Sequence, residues 1–237
     1  MRYKGASLNQ KHIPLVDSIQ QFFDLLRLGT PTGHDISVTR MEDMSINRRT
    51  DVPLFRNNIF RIVYLDDAQV EWNSASARQV SSNQCVYFAY PGKLESWKAN
   101  LKNKGYLICF MNKFSSGFRG NAELEQVLPY FNPEGNSLLF LTEDESLEIK
   151  SLIKEMLAEA NSLNTDRKRM LRYQLFQLLI KFNRLYKDRI ETIPFQSRNN
   201  MNIHHKFKQE LDKYFLELST DQQSTQVSVK VIADRMA

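Results

Sequence analysis

The chain has 237 residues, of which 42% are hydrophobic and 25% charged, with a formal net charge of +5; these values are ordinary for one large or two modest globular domains. No stretch approaches the roughly 20 consecutive apolar residues that a membrane span needs, and the polar start lacks the apolar core of a secretory signal. Composition therefore argues against a membrane protein, and we expect a cytoplasmic protein with no membrane partner.

The first half of the chain predicts a short helix followed by many strands. Glycine and proline, which interrupt regular structure, concentrate in the first 135 residues. Residues 17–28 carry apolar side chains at helical spacing, and Gly29 is expected to end that helix. Closely spaced short strands favour an antiparallel sandwich or barrel. Seven segments rich in β-branched and aromatic residues have this character: 36–41, 59–65, 69–72, 78–80, 84–89, 94–98 and 106–111.

The second half predicts a helical hairpin at residues 142–189. Thr142 and Glu145 match a capping box, in which the threonine caps the helix and the glutamate reaches back to the cap residue. After a polar turn at 161–165, a second amphipathic helix carries a leucine-rich stripe on one face. Two amphipathic helices joined by so short a turn are expected to lie antiparallel.

Beyond the hairpin, the sequence predicts a linker and two further helices. Residues 191–203 show no regular periodicity, while helices are predicted at 207–218 and from 227 to the end at 237. Basic residues cluster in the C-terminal half of the chain, at 167–172 and at 206–213. Such a surface is compatible with a phosphate-backbone partner, although charge alone favours a solvated helix face.

Several segments resemble parts of one family. Residues 227–237, which contain the small Ala233, resemble the first helix of a helix-turn-helix. Residues 207–218 resemble the opening helix of the DNA-binding domain of AraC-type bacterial transcription regulators. Four more segments resemble the sensing domain of these regulators: 28–38, 60–65, 87–97 and 105–114. The resemblance implies an α+β fold, with a cupin-like antiparallel β barrel at about 34–115, the α-helical hairpin, and the first helices of a helix-turn-helix domain.

The resemblance implies sequence-specific transcription control and not catalysis. Residues 1–190 would form the sensing and dimerisation domain, and residues 204–237 the truncated start of the DNA-binding domain. Recognition helices are then absent, so no DNA-contacting residue is assigned, and DNA would be the partner of the full-length regulator. A homodimer is expected, although the apolar stripe of the second hairpin helix could instead pack wholly within its own domain. The dimer contact is assigned to four residues of that stripe: Leu171, Leu175, Leu178 and Phe182.

A small-molecule effector in the barrel is a further possibility, because a small barrel can hold one small ligand. Successive strand residues point to opposite faces, so if Arg61 faces solvent, its neighbours Phe60 and Ile62 face the interior. The alternative is that these side chains simply fill the core of a scaffold without an effector. Eight residues are assigned to ligand contact on this basis: Phe60, Ile62, Tyr64, Trp72, Trp97, Tyr106, Ile108 and Phe110.

No metal site and no cofactor is predicted. Metal-dependent cupins hold their ion with clustered histidines and a carboxylate, but no histidine lies in a predicted strand; the four are His12, His34, His204 and His205. Glu95 alone is interpreted as a surface or turn carboxylate. No nucleophile elbow, phosphate-binding loop or dinucleotide fingerprint occurs. Two alternatives to a regulator stay open: a cupin-fold enzyme such as an isomerase or dioxygenase, and an effector-free module that binds a partner protein.

Overall fold

A computed structural model gives the backbone of residues 13–66, 70–74, 77–81, 84–98, 103–116, 124, 128–132 and 137–190. Side chains are described in the same ranges except at 70–81, 98 and 190. The predicted linker at 191–203 and the predicted helices at 207–218 and 227–237 lie outside the described residues.

The described part of the chain is a mixture of strands and helices, which confirms the α+β class. The strands are β1 (Leu15–Val16), β2 (Ile36–Arg40), β3 (Asp51–Asn57), β4 (Phe60–Leu65), β5 (Val70–Ser74), β6 (Ala77–Ser81), β7 (Cys85–Ala89), β8 (Leu94–Lys98), β9 (Gly105–Phe110) and β10 (Leu138–Phe140). The helices are α1 (Ile19–Leu26), α2 (Asn112–Ser115), α3 (Glu143–Ala160) and α4 (Arg167–Ile190), with 3-10 turns at Met41–Asp43 and Pro129–Phe131. Each of the seven predicted strand segments overlaps an observed strand.

Helix α1 begins and ends through local backbone chemistry. The Ser18 side chain caps its first turn by accepting a hydrogen bond from the Gln21 amide. Arg27 adopts a left-handed conformation with φ of 56°, and the Leu28 amide then donates to the Phe23 carbonyl. The helix therefore ends at Leu26, three residues before Gly29, the residue expected to end it.

The strands form two larger sheets and one hairpin. Five strands pair antiparallel in the order β10-β7-β4-β9-β2, so β4 is central. The second sheet has the order β1-β3-β8, with β1 parallel to β3 and β8 antiparallel to it. Strand β3 contains Pro53, and its register with β8 shifts between Val52 and Phe55, as expected where proline interrupts a ladder. The pair β5-β6 forms a separate hairpin.

Both faces of the five-stranded sheet are covered. On one face, helices α3 and α4 pack over even-numbered residues of β4 and β9 in a large apolar core. On the other face, α1 and strand β3 pack over Leu107 and Cys109 in a second core. Because β4 lies between these two cores, neither of its faces is exposed to solvent.

The helical hairpin forms as the sequence predicted. Thr142 and Glu145 make both hydrogen bonds of the capping box, and α3 packs against α4. The Tyr130 hydroxyl donates to the Leu179 carbonyl at 2.8 Å and ties α4 to the 3-10 turn beneath it. Among the described residues, none of the helices combines the length and the apolar character needed to cross a membrane.

Candidate functional site

The assumption that Arg61 faces solvent is wrong. Arg61 is only 2% exposed and lies on the side of β4 that faces the three-stranded sheet. Alternation assigns a strand's faces only when one of them is solvated, and β4 is covered on both. The two faces of β4 were therefore exchanged in the sequence interpretation: Phe60 and Ile62 face the helices, and Arg61 faces the three-stranded sheet.

Six of the eight residues assigned to an effector lie together on the helix-covered face, not between the two sheets. Their rings pack closely: Phe60 and Phe110 stack with centroids 5.1 Å apart, and Phe131 meets Phe60 edge-on at 5.0 Å. All six are at most 5% exposed: Phe60, Ile62, Tyr64, Tyr106, Ile108 and Phe110. Trp97 packs instead against the core on the opposite face, and the side chain of Trp72 lies outside the described residues.

The four residues assigned to dimerisation are buried in their own domain. Leu171 is 4% exposed, and Leu175, Leu178 and Phe182 are fully buried in the core beneath α4. A second subunit could contact them only if α4 left the sheet. The opposite face of α4 exposes large apolar side chains: Met170, Tyr173 and Ile180.

Four polar side chains, here called the polar chain, connect the two sheets: Arg61, Glu95, Tyr87 and Lys93. Arg61 of β4 donates from Nη2 to Oε2 of Glu95 on β8. The Tyr87 hydroxyl donates to Oε1 of the same carboxylate at 2.7 Å. Lys93, between β7 and β8, donates from Nζ to the Tyr87 hydroxyl oxygen at 2.7 Å. The polar chain thus runs from the buried ion pair to a half-buried ammonium group.

A buried asparagine holds the turn that carries Lys93. Asn57, at the end of β3, donates from its side-chain amide to the carbonyls of Ile59 and Tyr90 at 2.7 and 3.0 Å. Its backbone amide donates to the Lys93 carbonyl at 2.8 Å, and its carbonyl accepts from Gly92 at 2.6 Å. Gly92 has a φ of 86°, a conformation that glycine adopts without strain. These hydrogen bonds hold the turn in place, and the turn fixes the position of the Lys93 ammonium group.

Aromatic rings surround the Arg61 guanidinium. Its central carbon lies 4.5 Å from the ring centroid of Phe22, 5.3 Å from that of Trp97 and 6.0 Å from that of Phe55. Such contacts stabilise a cation through the negative face of the ring. Within the described residues, the buried Nε of Arg61 has no hydrogen-bond acceptor. The site therefore combines an apolar wall with one unused donor.

Burial sets the protonation states of this region. Desolvation lowers the pKa of the Lys93 ammonium to about 8, and the charge of Arg61 acts in the same direction. Desolvation also raises the pKa of the Tyr87 hydroxyl and of the Cys109 thiol to about 12. Near neutral pH the tyrosine and the cysteine are therefore uncharged, while most Lys93 is protonated. Since Arg61 is also a cation, two positive charges share the single carboxylate of Glu95.

The structure corrects the interpretation of Glu95 as a surface or turn carboxylate. Glu95 is 6% exposed and both of its oxygens accept hydrogen bonds, so it acts as a counter-charge to Arg61. In the described part of the chain, no group of three or more histidine, cysteine or acidic residues is close enough together to hold a metal ion. His34 is exposed, and the other three histidines, His12, His204 and His205, lie outside that part.

The sequence interpretation missed the polar chain, although a signal was present. Arg61 is the single charged residue of β4, and it interrupts an otherwise apolar strand. A lone charge in a buried strand requires a buried partner.

Comparison of the chain with known protein families found no family model that matches it, and a search of curated proteins found no match. Function is therefore inferred from the order of the elements and from the residues of the site.

Proposed function

We propose that residues 1–190 are the sensing and dimerisation portion of an AraC-type transcription regulator. The observation that carries this proposal is the order of the elements. Strands form two sheets that share a core, and an antiparallel helical hairpin then covers the outer face of one sheet. The resemblance of residues 207–218 and 227–237 to the opening of a helix-turn-helix domain supports the same proposal.

The cupin-like barrel is part of this proposal. Within the described ranges, no ladder of hydrogen bonds joins the three-stranded sheet to the five-stranded one. However, the chain passes between the two sheets through two short connections, from β3 to β4 and from β7 to β8. The ion pair of Arg61 and Glu95 joins the same two sheets. Short crossings of this kind are expected when strands curl into a barrel.

Strand β4 offers a route by which an effector between the sheets could influence the helices. Arg61 lies on its inner face, while Tyr64 lies on the face toward α3, where its hydroxyl is 2.6 Å from the Ser146 hydroxyl. Lys150 of α3 also donates to Asp66, just after β4, at 2.6 Å. An effector would shift the helices only if it bound one arrangement of β4 better than another.

We assign the homodimer contact to the exposed face of α4, around Met170, Tyr173 and Ile180. These side chains are 45%, 55% and 40% exposed, and an isologous contact along α4 would bury them. The same helix in two subunits would then place two DNA-binding domains side by side. Sedimentation equilibrium tests this assignment, because Tyr173→Glu is expected to give monomers while wild type gives dimers. Dimers that persist in the variant would refute it.

DNA binding is tested with the complete gene product by selection from random duplexes. A dimeric regulator of this class is expected to enrich a motif with two half-sites about one helical turn apart or a multiple of it. Gel shifts at moderate salt then separate specific binding from the salt-sensitive association that any basic protein shows. Failure to enrich any motif, with folded protein and after repeated rounds, would contradict the proposal.

An effector-free interaction module is the second candidate, and one observation favours it. The residues first assigned to an effector fill a closely packed core, so that face of the sheet is occupied by the protein itself. The module would still dimerise but would respond to no small molecule. Calorimetric titration with small ligands separates the two candidates, because only a sensor binds one of them.

A further inference from the structure

We propose that the polar chain binds the carboxylate of a small organic acid in the region between the two sheets. This inference rests on the proposed sensing function, for which it names the class of effector. Its basis is the surplus positive charge at Arg61 and Lys93, the unused donor of Arg61, and the rings that line this region.

The charges of the polar chain do not balance. Glu95 accepts from Arg61 and from the Tyr87 hydroxyl, so its two oxygens are both engaged within the chain. Lys93 donates to the neutral oxygen of Tyr87, and Ser137 provides a second neutral oxygen at 3.5 Å. No carboxylate is bonded to Lys93 in the described residues. Buried charges are normally paired, and one monoanion would restore neutrality.

The surroundings favour an organic anion with an apolar body. The rings of Tyr87 and Tyr90 lie 4.7 and 5.3 Å from the Lys93 ammonium group. Phe55 and Trp97 line the Arg61 end of the polar chain. A strongly hydrated inorganic anion gains little from such walls, whereas an aryl or alkyl group loses unfavourable contact with water there.

The position of Lys93 gives the acid a way in. Arg61 is buried, but Lys93 is half-buried and sits in the turn between β7 and β8, beside the exposed Gly92. A carboxylate can therefore reach Lys93 from the rim without unfolding of the sheets. The inner ion pair then holds the ammonium in place through Tyr87.

The experiment titrates the whole chain, without DNA, with benzoate, phenylacetate and 3-phenylpropionate by calorimetry at about pH 7. Benzamide serves as the neutral control and inorganic phosphate as the hydrophilic anion. We expect saturable 1:1 binding of at least one acid with a Kd below about 1 mM, and no binding of benzamide. Lys93→Met should weaken binding by about tenfold or more, which corresponds to about 1.4 kcal/mol. Lys154→Met, at an exposed lysine of α3, should bind as wild type does.

The pH dependence gives a second readout that needs no variant. Affinity should fall as the pH rises above about 8, because Lys93 loses its proton there, while Arg61 keeps its charge and Tyr87, whose pKa is raised to about 12, is not yet ionised. The proposal is overturned if none of the three acids binds up to about 10 mM, if phosphate binds equally well, or if Lys93→Met and high pH leave affinity unchanged. Because no DNA is present, such a failure does not bear on the proposed DNA-binding function. Failure to bind DNA likewise does not bear on the binding of an acid.

Discussion

Replacing Glu95 with glutamine is expected to destabilise the domain strongly. The substitution keeps the size of the side chain but removes the charge that faces Arg61, which stays buried among aromatic rings. Removing one partner of a buried ion pair costs about 3–5 kcal/mol. The amide oxygen of glutamine can still accept from Tyr87, so we expect a loss in the free energy of unfolding near the lower end, about 3 kcal/mol.

Urea unfolding followed by circular dichroism measures this loss, and an exposed pair provides the control. Arg40 and Asp43 form an ion pair whose side chains are 47% and 54% exposed, so Asp43→Asn should cost less than about 1 kcal/mol. The double variant Arg61→Met/Glu95→Gln removes both charges and should recover part of the loss. The reasoning is refuted if Glu95→Gln costs no more than Asp43→Asn, or if the Arg61 and Glu95 substitutions are simply additive.

Three further predictions follow from burial and backbone geometry. The pKa of Lys93 is lowered from 10.5 to about 8 in the folded protein. Between pH 8 and pH 10.5 the unfolded chain therefore binds more protons than the folded one, and the stability of the wild type should rise with pH. The urea midpoint of Lys93→Met should lack this contribution. Leu175→Ala should cost about 2–5 kcal/mol, whereas Leu147→Ala, at an exposed position of α3, should change thermal stability by less than about 0.5 kcal/mol. Gly105→Ala should cost more than about 3 kcal/mol, because its Cβ would overlap the Tyr64 carbonyl oxygen at a φ of 148°; near-wild-type unfolding curves would contradict this.

Features set by neighbouring residues were predictable from the sequence. The capping box of Thr142 and Glu145 needs only four consecutive positions, and it forms as expected. The strand segments were predictable for the same reason, because β-branched and aromatic residues bounded by turn residues favour extended backbone. Strand β3 was missed, since Pro53 argues against a strand and the irregular pairing that accommodates it depends on β8.

Features set by packing between distant elements were not predictable in the same way. The faces of β4 could be assigned only by knowing that α1 and β3 cover one side and the hairpin the other. The same knowledge is needed to place Leu175, because its apolar stripe could pack against a partner subunit or against its own sheet. The ion pair of Arg61 and Glu95 was unpredictable for the same reason. The two residues lie 34 positions apart in the sequence, so nothing local indicates that they pair.

We propose that this protein controls transcription by binding specific DNA sites as a dimer. Chromatin immunoprecipitation of the tagged, complete protein in its own cells decides whether it does so. We expect discrete peaks upstream of genes that share a motif with two half-sites. Occupancy that is uniform along the genome, or no greater than in untagged cells, would contradict it.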